Sequence, residues 1–171
     1  MSILISAVSF LVALAAFLRT LRTDKVNRAW EDYRDTVYDD LKDAVNNLSF
    51  VAHPKTAGQR ITSAEDLETY ERDLSRALNS LSVQCTKADH HPRSKRKNWE
   101  EHCDAAADAL AETGRLYREN ALSLENALGN MTRDCMSCCR TLEREMREQR
   151  EAMQPMATLS KMSKHLPDWF S

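Results

Sequence analysis

The scarcity of chain-breaking residues constrains this sequence most: 171 residues hold three glycines, Gly58, Gly114 and Gly129, and four prolines. A many-stranded sheet needs frequent turns and draws on Gly and Pro to make them. An all-α fold of long helices with few connections is what such a chain can build. The same isolated glycines exclude a G-x-G-x-x-G or Walker-type phosphate loop. Lys and Arg, 24 in all, nearly balance 26 Asp and Glu. A generally basic binder is thereby disfavoured, and no nucleic acid is expected as a partner.

One run near the start is free of charge: Ile3–Leu18, ILISAVSFLVALAAFL, with two serines. As a helix, Met1 to Leu18 spans roughly 27 Å, a little under a ~30 Å hydrocarbon core, and Arg19 can snorkel to the headgroups. Ala13-Leu14-Ala15 resembles the A-x-A site of a cleaved signal peptide. Against cleavage, no Lys or Arg precedes the run, while Arg19, Arg22, Lys25 and Arg28 follow it and by the positive-inside rule belong to the cytoplasm. The expectation is an uncleaved single-pass transmembrane anchor over residues 1–22, N-terminus outside, with the C-terminal domain cytoplasmic. Cysteines in that compartment stay reduced, so the five are packing residues or ligands rather than disulfides. The sequons Asn47-Leu48-Ser49 and Asn130-Met131-Thr132 then lie on the wrong side for glycosylation.

Beyond the anchor, Val26, Trp30, Tyr33, Val37, Leu41, Ala44, Leu48 and Val51 follow i+3/i+4 steps and predict an amphipathic helix continuous with the apolar segment. His53-Pro54 and Gly58 break it. Ser63, three residues before Asp66, is an N-cap candidate for a second helix through Leu67, Tyr70, Leu74, Leu78 and Leu81 that ends near Cys85. Lys87–Lys97 (KADHHPRSKRK) reads as a basic loop. From Asn98 the pattern resumes along Leu110, Tyr117, Ala121, Leu124, Leu128, Met131, Cys135, Cys138, Leu142 and Met146 until Pro155. Residues 23–153 thus form a helical bundle or coiled-coil domain, and 154–171 a tail. The seam runs across Gly129-Asn130, as a single coiled-coil rod would. Comparable helix lengths favour instead an antiparallel four-helix bundle turning there, with Gly129 at C′. Gly114 has no evident role.

An outgoing first helix and a returning second bring the basic loop back toward the bilayer. Arg19, Arg22, Lys25, Arg93, Lys95, Arg96 and Lys97 are therefore expected to face anionic headgroups, and, if the chain turns at Gly129 so that a fourth helix returns, Trp169 and Phe170 lie at the interface; a solvated loop and a frayed tail are the plain alternatives. Cys135, Cys138 and Cys139 stand at i, i+3 and i+4 on one helical face. They suit half of a metal site, a redox switch or an acylation cluster, but read most simply as small hydrophobes in the seam. Zinc takes four ligands, and a fourth would have to come from His53 or a second chain. Cys85 and Cys103, with His90, His91 and His102 nearby, match no zinc signature; in the inverted topology they would pair as a disulfide. No G-x-S-x-G, H-E-x-x-H or Glu-x-x-His is present, Asp39, Asp40 and Asp43 lie opposite the apolar stripe, and Glu143–Glu151 alternates in sign as exposed helices do.

The sequence therefore predicts no enzyme and no cofactor. It predicts a membrane-anchored helical scaffold or interaction module whose partners are membrane lipid and a protein or a second copy of itself. The alternative is a membrane-proximal redox or metal sensor built on Cys135, Cys138 and Cys139.

Overall fold

The computed structural model describes residues 2–53, 55, 60–94 and 98–153, giving the backbone alone for 2–9 and 11. Its elements are α1 (Ser2–Tyr33), a π-helical turn over Arg34–Tyr38, α2 (Asp39–Val51), α3 (Ala64–His90), α4 (Trp99–Arg118) and α5 (Leu124–Met153). Because the chain is helical without a break from Ser2 to Val51, the described residues hold four helical segments and no strand. The all-α expectation holds. The π turn falls where the apolar spacing takes two four-residue steps in succession, Tyr33 to Val37 to Leu41. A wider turn absorbs the extra residue and keeps all three buried.

The membrane expectation is corrected. Among the described residues no helix is long and apolar enough to cross a membrane, which removes the single-pass transmembrane anchor and the localisation built on it. The side chains of residues 2–9 and 11 lie outside the described ones. What is described runs apolar only from Phe10 to Leu18, about 13 Å of helix against a ~30 Å core. α1 then continues through Arg19, Arg22, Asp24, Lys25, Arg28, Glu31 and Asp32.

Two compact units divide the chain, residues 1–34 with 150–171, and residues 35–149. In the first, Trp30 and Tyr33 are buried with ring centroids 6.1 Å apart. The Arg150 guanidinium lies 6.0 Å from the Trp30 ring centroid, within cation–π range.

The second unit is an up-down-up-down bundle of α2, α3, α4 and α5. Antiparallel register is fixed by paired contacts that run in opposite chain directions. Between α3 and α4 these are Cys85 with Cys103 and Glu71 with Arg118; between α2 and α5, Val45 with Cys139 and Ser49 with Met136. Each helix contributes an apolar stripe, with Leu41, Leu48, Leu67, Leu74, Leu81, Leu110, Met131 and Leu142 fully buried. Each such side chain stabilises the fold by about 1.5–3 kcal/mol relative to exposure. Tyr70 ties three elements together: its hydroxyl donates to the Ala52 carbonyl (3.0 Å) and shares a hydrogen bond with Thr132 of α5 (3.1 Å).

Local chemistry explains where the helices begin and end. Ser63 caps α3 in a reciprocal capping box with Asp66, as the sequence predicts. α3 runs on to His90, past the expected end near Cys85, because Cys85, Ala88 and Asp89 are buried and Lys87 and His90 suit the negative end of the helix dipole. Asp89 then turns the corner: its carboxylate accepts from the backbone N–H of Trp99 (3.2 Å) and Glu100 (3.0 Å), the first two residues of α4. At the end of α5, Gln149 donates to the Arg93 carbonyl (3.0 Å) and holds that corner from the other side.

The third turn is at residues 119–123, and both expectations for Gly129 are corrected. Asn120 adopts φ 58°, Ala121 N–H donates to the Leu116 carbonyl and Asn120 N–H to the Tyr117 carbonyl. That is a Schellman ending with Asn in the left-handed position usually taken by Gly. Ser123 then caps α5 through Asn126. Gly129 is an interior residue of α5, and a Cβ there would meet nothing within 4 Å. Gly114 acquires a role: the Glu71 carboxylate lies against it and from there reaches Arg118 at 2.9 Å.

Gly129→Ala is expected to stabilise the protein by about 1 kcal/mol, the helix-propensity difference, and Asn120→Ala to destabilise it by about 1 kcal/mol. Urea unfolding of both variants checks these opposite signs. Asp89→Ala removes the cap of α4 and is expected to cost about 1–2 kcal/mol, read as a lower urea midpoint with unchanged slope.

Candidate functional site

All five cysteines are free and buried in the bundle. Each sits on an apolar stripe: Cys85 follows Leu74, Leu78 and Leu81 on α3, Cys103 follows Trp99 on α4, and Cys135, Cys138 and Cys139 precede Leu142 on α5. The antiparallel register brings three of them together from three helices. Cys85 Sγ and Cys103 Sγ lie 3.5 Å apart, and Cys103 and Cys138 are near enough to perturb each other's ionisation. The other two diverge, since Cys139 donates to the Val45 carbonyl of α2 at 3.7 Å, and Cys135 lies toward Tyr70 of α3.

Burial helps four of these thiols, Cys103, Cys135, Cys138 and Cys139, hold their protons. It pushes Cys135 up to about 12, helped by the neighbouring Cys139, Cys138 and Asp134, and likewise raises Cys139 to about 12, with Cys138 and Glu143 adding to it. Cys103 is drawn down by the bond from Cys138, yet the bond to Cys85 and burial outweigh it and raise the group strongly. Cys138 is raised strongly, first because its thiol is engaged with Cys103 and then by burial. Tyr70, desolvated between Ala52 and Thr132, is pushed up to about 12.

Beside Cys138 an open groove of about 230 Å³ separates α4 from α5. His102, Ala105, Ala106 and Ala109 line one side, and Asp134, Ser137, Cys138 and Thr141 the other. The small side chains of α4 are what leave this space. His102 Nε2 stands 3.4 Å from Glu145 Oε1, a carboxylate that is itself buried.

The structure places the residues expected from sequence as follows. Cys135, Cys138 and Cys139 share the inner face of α5 without converging. His102 belongs to the groove, whereas His90 contacts the Thr86 carbonyl (2.8 Å) and His91 the Thr36 hydroxyl (3.5 Å). Neither joins Cys85 and Cys103. Among the described residues no group of three or more His, Cys, Asp or Glu is arranged to hold a metal ion. Arg19, Arg22 and Lys25 are exposed on α1 and Arg93 is exposed in the α3–α4 turn; Lys95, Arg96, Lys97, Trp169 and Phe170 lie outside the described residues. Sequence spacing separates Cys85 and Cys103 from Cys135, Cys138 and Cys139, and only the antiparallel register brings Cys138 near Cys103.

Comparison with family models, curated proteins and solved structures finds no match for this chain.

The raised thiol and phenol values predict alkaline sensitivity. Unfolding releases protons that the folded state retains between the ordinary thiol value of 9.0 and about 12. The unfolded chain then binds fewer protons, so stability is full below about pH 9 and falls above it, by up to about 1.4 kcal/mol per pH unit for each thiol. Urea midpoints at pH 8, 9 and 10 should fall in that order, and Cys135→Ala should flatten the decline.

Proposed function

We propose that this chain is a non-catalytic helical scaffold that works by self-association, with the bundle of residues 35–149 as its folded body and α1 as the associating element. One observation supports this reading. Phe10, Leu14, Phe17 and Leu21 recur at 4-3-4 spacing on α1 and are 41–67% exposed, which is the a/d pattern of a helix seam awaiting a second helix. Val12 and Leu18 beside it are exposed as well, at 64% and 56%. A contiguous apolar surface of this kind marks an interaction site in proteins generally. The bundle, by contrast, covers the stripes of its own four helices and, among the described residues, exposes only Phe50 and Val83 as large apolar side chains. A second copy offers an identical seam and an identical helix length, which closes a symmetric pair.

Light scattering on the full chain is expected to give a mass of two copies or more at micromolar concentration. Leu14→Asp combined with Phe17→Asp should return it to one copy with helix content unchanged. A single-copy mass for the unaltered chain, or an unchanged mass for the variant, would overturn the reading.

A further inference from the structure

Three buried thiols on three helices form a line from a groove to the interior. Cys138 is the outermost, with 5% of its surface exposed and a place in the wall of the α4–α5 groove. Cys103, 1% exposed, stands between it and Cys85, which is fully buried. The middle thiol stands 3.5 Å from Cys85 across α3–α4 and faces Cys138 across α4–α5, where the two are near enough to perturb each other's ionisation and Cys138 lines the groove with Ala106, one turn on from Cys103. A disulfide needs about 2.05 Å, so each link requires an approach of side chains already facing each other.

We propose that Cys138, Cys103 and Cys85 form a thiol–disulfide relay that takes up oxidation by hydrogen peroxide at the groove and stores it as a Cys85–Cys103 disulfide in the core. In the first step Cys138 sulfur attacks one peroxide oxygen. The O–O bond breaks, the other oxygen leaves as water with the thiol proton, and Cys138 becomes a sulfenic acid. Cys103 sulfur then attacks Cys138 sulfur, the S–O bond breaks, and a second water carries off the oxygen with the Cys103 proton, leaving a Cys103–Cys138 disulfide. Finally Cys85 sulfur attacks Cys103 sulfur, and Cys138 departs with the proton that Cys85 gives up. The balance is two thiols oxidised to one disulfide and one peroxide reduced to two waters.

The order follows from access and position. A groove of about 230 Å³ admits hydrogen peroxide, and among the three thiols Cys138 alone lines it. Cys103 is the shared partner, so its two disulfides exclude each other and the bond must move inward rather than accumulate. The final link joins α3 to α4 and closes the corner that Asp89 caps, while Cys138 is returned to the groove as a thiol.

The test is oxidation of the full reduced chain by hydrogen peroxide, followed over time by alkylation of remaining thiols and fragmentation of cross-linked peptides. The unaltered chain should lose two mass units, with a Cys103–Cys138 link appearing first and a Cys85–Cys103 link replacing it. Cys85→Ser should stop at Cys103–Cys138. Cys138→Ser, and Cys138→Ala as a second variant, should slow the Cys85–Cys103 link at least tenfold with helix content unchanged. Formation of that link at the unaltered rate without Cys138 would overturn the relay, as would oxidation that leaves Cys103 free.

Discussion

The Asp89 carboxylate at the α3–α4 corner sets what the rest of the bundle can do. A helix start leaves its first N–H groups without partners inside the helix, and a buried start must find them elsewhere. Here the last turn of α3 supplies both oxygens to the first two residues of α4, a charge-assisted pair that also faces the positive end of the α4 dipole. Because the acceptor belongs to one helix and the donors to the next, the contact fixes how far along α3 the returning α4 begins. Cys103 then lies as far after the corner as Cys85 lies before it. The Schellman turn at Asn120 repeats the operation, and Cys138 faces Cys103 across it. One capped corner and one tight turn thus align three cysteines that are far apart in sequence.

Much of this was legible in the sequence. The helical class, the Ser63 cap and most of the buried stripe follow from spacing and cap chemistry, and so does a bundle of four helices. The position of the third turn was not legible, for a specific reason. A glycine at 129 advertised a helix ending, whereas the true ending uses Asn120, whose short amide side chain tolerates the left-handed conformation. The seam through the half-buried Tyr117, Leu124 and Leu128 reads as continuous because the chain buries into one core on both sides of the turn, at Leu110 before it and at Ala127 and Met131 after it. Gly114 was opaque because its purpose is to make room for Glu71, a residue 43 positions earlier. Asp89 could not be distinguished from the charged loop it precedes, since its burial depends on the corner it makes.

The cysteines show how a correct composition argument can group residues wrongly. Spacing on one helix suggested Cys135, Cys138 and Cys139 as a unit, and helix geometry does place them on one face. Neighbours at i, i+3 and i+4 on a bundle helix, however, point to different partner helices. Cys139 turns to α2 and Cys138 to α4. What matters is distance from the turn: residues equidistant from an antiparallel corner meet, and that rule joins Cys85 to Cys103 and Cys103 to Cys138.

Burial gives this cluster a chemical character opposite to that of an exposed reactive cysteine. A thiol that keeps its proton, as Cys103 and Cys138 do, is a poor nucleophile and a poor metal ligand, so neither reacts indiscriminately with what surrounds the protein. Reaction instead requires a reagent small enough to enter beside Ala105, Ala106 and Ala109, where α4 has no side chain large enough to fill the space. Selectivity then comes from access and not from activation. The same desolvation that slows the first step protects the last, because a disulfide between two fully covered sulfurs is out of reach of external thiols. The small residues on this face of α4 therefore leave an entrance to the sulfur line beside Cys138, while Cys103 and Cys85 beyond it are covered.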